Sequence, residues 1–363
     1  MGSRRRATAD LWRAAEEALD AAPGQHSDDV TDEEVEHARS LAASVGPSLD
    51  DLAALMLIES VKGFGPQKFK ELYVAGVSPR ELTERPESLP TGGKRGDDFK
   101  RAISRFTVED EDLARRRAAR QIVRAQENEA RIVTFDDPSY PENVWESNNP
   151  IPILYVQGSS SALRERSNVA CVGSRKNRAP YVELLDQFAR AAVDSGFGVV
   201  SGFALGADSI AHRAAFEAGG RTVAVMPCGL DRPFPPENRP FWDDLRRYPG
   251  AIFVSEFPFG TAASGLTLRK RNKLIVAFAL GVLVAQSAAN GGAMNAYRFA
   301  LEQRKPAAAF RPDLQGDTSG NALIIEEAER RQASLAAPVD AALPADRDTR
   351  LWRDWLHALS SSI

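Results

Sequence analysis

The sequence has only two cysteines and four histidines in 363 residues. Cys171 and Cys228 form no C-x-x-C pair or other ligand cluster, which excludes a disulfide framework and a thiolate zinc site and fits a reducing cytosol. The histidines (His26, His37, His212 and His357) fall in unrelated segments, so no metal is expected. Nothing approaches a run of about 18 apolar residues, and the Arg4-Arg5-Arg6 start has no apolar core region, so neither a membrane span nor a signal peptide is read. A basic excess is also missing. The net charge of -4 argues against a protein that coats duplex nonspecifically. Screening within about 10 Å still leaves room for a local basic groove.

With 43% hydrophobic and 26% charged residues, the chain can build a sizeable core, and its length fits one large and one or two small domains. It is organised around residues 168–212. Residues 169–172 are apolar without alternation, as in a parallel strand covered on both faces. Gly173-Ser174-Arg175 ends that run, and Pro180 opens a helix over 181–193. A second strand, Val199-Val200, then enters Ser201-Gly202 before a helix at Ala207-Asp208. Two glycine-bearing loops therefore lie at the carboxyl ends of neighbouring strands, where open α/β sheets bind ligands. Backbone amides at Gly173, Gly202 and Gly206, the helix starts and the Arg175 guanidinium suit an anion. The same glycines also suit a sharp strand-to-helix turn. The run is not G-x-G-x-x-G and no acid ends the second strand, so an ordinary NAD site is not expected.

Residues 1–47 read as an extension whose helix is opened by the capping box of Thr31 and Glu34. Residues 48–106 read as a small helical domain in which Gly63-Phe64-Gly65-Pro66 separates two helices. That turn looks like a helix-hairpin-helix, whose Gly63 and Gly65 amides would hold a DNA phosphate, although many such turns only join helices. Residues 109–128 form a charged helix with Arg115, Arg116, Arg117, Arg120 and Arg124, read as a solvated face. Further on, strands at 131–135, 151–156, 222–226, 252–255, 282–285 and 307–310 are expected, with helices at 239–247, 268–279 and 293–303. This α/β alternation predicts a Rossmann-like, doubly wound, mostly parallel sheet with helices on both faces, taken as the domain 107–331. Residues 332–363 are an Ala- and Pro-rich linker with a short helix at 349–360.

The blocks VACVGSRKNRAPY, GVVSGFALGADSIAH, SEFPFG and RKRNKLI, in this order and spacing, resemble the DNA-processing protein A family (DprA, also called Smf) over about residues 49–328. The resemblance implies a cytoplasmic homodimer that is not an enzyme and needs no cofactor. It would grip single-stranded DNA and help load a RecA-type recombinase in natural transformation or DNA recombination, with a sterile-alpha-motif-like domain at 48–106. On that reading Arg175, Arg269 and Arg271 neutralise phosphates. Gly173, Ser174, Ser201, Gly202, Gly206, Asp208, Asn272, Gly291 and Gly292 line the phosphate site. Phe203 or Phe234 stacks a base; Phe203 equally fits a core, and Asn272 equally fixes a loop. The chain departs from the family pattern late: Gln286 stands for a glutamate, 290–296 for Ser-Gly-Ser-Leu-x-Thr-Ala, and Arg311-Pro312 for Pro-Gly.

Two other readings keep the fold. The altered 286–296 segment suits a sensor of a nucleotide-derived ligand, as in phage-defence members of the superfamily. A nucleotide phosphoribohydrolase would need an acid where Arg298 stands. Asp208 and His212, one helical turn apart, have the spacing of a base with its orienting group, but no nucleophile accompanies them.

Overall fold

The computed structural model describes residues 30–90, 92–312, 317–334, 342–343 and 349–361; Arg4-Arg5-Arg6, His26 and most of the expected linker lie outside them. The chain opens with α1 Asp32–Val45, α2 Leu49–Glu59, α3 Pro66–Val74, α4 Pro79–Glu84, α5 Gly93–Ile103 and α6 Val108–Glu127. Local chemistry sets their starts. Thr31 and Thr107 each form a capping box, with Glu34 and Asp110, and the Ser48 and Ser78 side chains cap α2 and α4. α5 begins at Gly93, within the turn-rich residues Pro90 to Gly96 that the sequence predicts as a break.

α6 is the spine of this module. It buries Ala114, Ala118, Ile122 and Ala125 against α1 and α2, and small alanines let the helices approach closely. α1 buries Val35, Ala38, Ala42 and Val45 there, so the helix of the expected extension belongs to the module's core. The arginines of α6 meet acids: Arg115 with Asp50, Arg116 with Asp32 and Asp112, and Arg124 with Asp231.

The sheet comprises β1 Ala130–Thr134, β2 Ile153–Gly158, β3 Asn168–Val172, β4 Gly198–Ser201, β5 Thr222–Val225, β6 Ala251–Ser255, β7 Gly281–Val284, β8 Ala307–Phe310 and β9 Ala342–Leu343. Its order is β1-β2-β6-β5-β4-β3-β7-β8-β9. The β1–β2 and β2–β6 pairs are antiparallel and the rest parallel, with Ala170 opposite both Val200 and Val282. β9 is a short edge strand inside the expected linker, pairing Ala342 with Ala309.

The remaining helices are α7 Glu142–Glu146, α8 Tyr181–Asp194, α9 Ala207–Glu217, α10 Arg239–Arg246, α11 Gly265–Lys270, α12 Asn272–Phe278, α13 Ala293–Glu302, α14 Ser319–Ser334 and α15 Thr349–Ser360. α8, α9 and α15 share one core with β3, β4 and β8, while α12 and α13 share another with the same strands. Cover on both faces is why the parallel strands read as unbroken apolar runs. The helix expected over 268–279 is two helices that meet at Arg271. Strand order reverses at β3, with β4 to one side and β7 to the other, and that switch point positions the site. Among the described residues no single helix is long and apolar enough to cross a membrane.

Candidate phosphate-binding site

Two loops touch at the carboxyl edge of β3 and β4. The Ala207 amide donates to the Ser174 carbonyl at 3.1 Å. Gly206 has φ 78, and an added Cβ would lie 2.5 Å from the Ser174 and Arg175 carbonyl oxygens, so both its backbone and its surroundings require glycine. The Ser174 amide donates to the Gln286 carbonyl at 2.7 Å and the Arg178 amide to Gln286 Oε1 at 3.0 Å, which ties the β3 loop to the end of β7. The Lys176 amide is satisfied by Ser174 Oγ at 3.0 Å and the Ala204 amide by Asp208 at 3.2 Å. Among the described residues the amides of Arg175, Leu205 and Gly206 have no internal acceptor. With the exposed Arg175 side chain they offer an anion several donors beside the start of α9.

Beneath the β4 loop lies a buried charge. Arg271 is 4% exposed, and its Nη1 donates to the carbonyl of Gly202 and, at 2.5 Å, to that of Val225. An added Cβ at Gly202 would sit 1.9 Å from that nitrogen. Asp208 is buried as well; burial pushes its carboxyl above the ordinary range, opposed by the Arg271 charge and the Ala204 amide. Burial also lowers Arg271, with Asp208 opposing, but a guanidinium keeps its proton in a protein. Ser201 Oγ donates to the Cys171 carbonyl at 2.6 Å. The expectation that Arg271, Ser201 and Asp208 meet the ligand is corrected accordingly. Their polar atoms serve the backbone of β3, β5 and the β4 loop and brace that loop from inside.

Phe203 is corrected in the same way. It is 1% exposed, and its ring sits among His212, Phe241, Trp242 and Phe253 with centroids 5.6–5.8 Å away. Its φ of 60 costs on the order of 1–3 kcal/mol. Burial of the ring returns about 1.5–3 kcal/mol, and the aromatic contacts add to it. No ring face remains for a base. Phe234 is half-buried against the same core.

Asn272 Nδ2 donates to the Gly292 carbonyl at 3.3 Å, so it holds the β7 loop in which Gly291 and Gly292 lie. Gly173 begins the β3 loop, and Arg269 is exposed on α11. Gly63, with φ 83, and Gly65, the N-cap of α3, belong to a turn whose Phe64 packs on Phe69 and Phe99. Gln67 and Lys70 lead from α3 to the carbonyls of Asn148 and Trp145, not to the β3 and β4 loops. Lys176, Arg178 and Leu205 lie on the same two loops without having been expected there, although the basic run around Asn177 is a visible signal.

His212 Nδ1 lies 2.6 Å from Thr222 Oγ1, which itself donates to the Val199 carbonyl at 3.0 Å. We assign the Nδ1–H tautomer, since it satisfies both groups. Burial and the nearby Arg271 lower the imidazole to about 3, so it is neutral and enclosed. A base for solvent-borne substrate needs access that neither His212 nor Asp208 has. Among the described residues no three His, Cys, Asp or Glu side chains converge for a metal.

A doubly wound sheet with touching glycine loops at its switch point defines a Rossmann-like α/β protein. The chain belongs to the DNA recombination-mediator protein A family, whose family model matches residues 131–337. It is 31% identical over 195 residues to Protein Smf of Synechocystis sp., covering 52% of this chain and 48% of that one. It is 30% identical over 195 residues to DNA processing protein DprA of Streptococcus pneumoniae, covering 53% and 67%. The match to Protein Smf of Escherichia coli covers 46% of that protein, so the chain spans about half the length of several curated relatives. The solved S. pneumoniae DNA processing protein A shares the fold, with TM-score 0.58 at 21% identity over 77% of this chain and 93% of that one. The Helicobacter pylori protein, which has a single-stranded DNA binding mode, aligns with TM-score 0.52 at 22% identity over 64% and 96%.

Proposed function

We propose that this chain is a non-enzymatic cytoplasmic protein that holds single-stranded DNA on the β3 and β4 loops. As a homodimer it assists loading of a RecA-type recombinase during DNA uptake or recombination. The observation that carries the reading is the set of unpaired amides at Arg175, Leu205 and Gly206 beside the exposed Arg175 guanidinium. Buried Arg271 adds positive potential from below, and family membership and the DNA-binding relative support the ligand class. In this reading Arg269, Ser174 and the Gly173, Gly291 and Gly292 loops complete the phosphate lining. Phe234 offers its partly exposed ring, and the Gly63–Gly65 turn contacts DNA separately as part of a helical module. Fluorescence anisotropy with a labelled oligothymidylate tests this: saturable binding is expected, and none at low salt would refute it.

A second reading, a small nucleotide ligand, is favoured by Asn177. Its Oδ1 and Nδ2 are both buried in the β3 loop without a hydrogen-bond partner. Mass spectrometry of the purified protein separates the two, since a sensor would release a bound nucleotide on denaturation.

A further inference from the structure

Arg175 has cationic neighbours. Lys176 and Arg178 on the same loop are exposed, as is Arg311 just after β8. None of these four side chains meets a carboxylate among the described residues, in contrast to the ion-paired Arg115, Arg116 and Arg124 of α6. Two hydrogen bonds tie the group together through α8. The Val182 amide donates to the Arg178 carbonyl at 3.2 Å, and the Tyr181 hydroxyl donates to the Arg311 carbonyl at 2.8 Å. Between β3 and β8 lies β7, followed by Gln286, whose Oε1 accepts the Arg178 amide at 3.0 Å. A carboxylate there would neutralise part of the loop; the amide of glutamine leaves its charge unopposed.

We infer that Arg175, Lys176, Arg178 and Arg311 form a cationic track over the carboxyl ends of β3, β7 and β8 that holds successive backbone phosphates of a single strand. The inference rests on the single-strand reading above and gives it a direction: the strand leaves the β4 loop at Leu205, crosses the switch point and runs toward β8. Leu205, 37% exposed at the tip of the β4 loop, gives a base an apolar contact that the enclosed Phe203 does not. Four exposed cations without a carboxylate partner gain most from a polyanion, and a flexible strand can follow loops that a stiff duplex cannot.

The test is anisotropy titration of the full chain with a length series of oligothymidylates at several salt concentrations. The parent should show a log–log salt slope of roughly -3 on long oligonucleotides, about -0.7 for each phosphate held. Arg178→Ala and Arg311→Ala should each bring that slope about 0.7 nearer zero. Arg311→Ala should lose its effect on the shortest oligonucleotides that still bind. Gln286→Glu, checked for native folding by circular dichroism, should weaken binding. If Arg175→Ala weakens binding while Arg178→Ala, Arg311→Ala and Gln286→Glu match the parent at every length, the track is overturned and single-strand binding at the β3 and β4 loops stands. If the parent binds no oligonucleotide, the single-strand reading fails and the track with it.

Discussion

Arg271 donates to the carbonyl of Gly202 from beneath the β4 loop, and the missing side chain at Gly202 is what gives the guanidinium its place. Removing either member leaves a misfit in a closed interior. Arg271→Ala strands the buried Asp208 carboxyl and two carbonyls, and Gly202→Ala collides with a charge that has nowhere to move. Each should cost about 3–5 kcal/mol by chemical denaturation, and the double variant less than their sum. This replaces the sequence-based expectation that Arg271 reaches out to neutralise a phosphate.

His212 should make the fold acid-sensitive. Its imidazole is lowered from 6.5 to about 3 in the folded chain, so stability present above the unfolded value is lost as pH falls from about 6.5 toward 3. The slope from this one group approaches about 1.4 kcal/mol per pH unit. His212→Gln should flatten denaturation midpoints between pH 6.5 and 5. Asp208 is raised and acts in the opposite sense, since the folded state takes up its proton first. Asp208→Asn should therefore steepen the loss.

Both thiols should be inert in the native state. Cys171 and Cys228 are buried, and burial pushes the Cys228 thiol up to about 12 and Cys171 higher still. Ellman's reagent should label neither until denaturant is added. Fast labelling of native protein would show that the β3 or β5 end is open.

The hairpin turn can be probed without disturbing its fold. Gly65 has φ -86 and nothing within 4 Å of an added Cβ, so Gly65→Glu should change stability by less than about 0.5 kcal/mol. Its carboxylate would stand at the start of α3, where a phosphate is proposed to bind, so DNA affinity should fall. Unchanged affinity would reduce the turn to a joint between helices.

The parallel sheet was legible in the sequence because each strand is buried on both faces and the helices between them keep their apolar period. The touching of the β3 and β4 loops followed from strand order alone. The location of Arg271 did not: its carbonyl partners, on Gly202 and Val225, come from other strands far away in sequence. The surrounding Arg269-Lys270-Arg271 run reads as charge that meets phosphate in a pocket, not as a buried brace. Phe203 escaped for the same reason, since the four rings around it are gathered from α9, α10 and β6. α1 reads as an appendage because two of its four buried residues are alanines, whose burial shows only once α6 lies against them.

The central claim is that a single strand is held at the β3 and β4 loops through Arg175. Its most direct measurement compares the parent with Arg175→Ala for binding to a single strand and to a blunt duplex across a salt series. The parent should prefer the single strand. Arg175→Ala should weaken all single-strand sequences alike and bring the salt slope about 0.7 nearer zero, because a phosphate contact carries charge and no base information. Equal affinities of parent and variant for single strands, with the same slope, would contradict it.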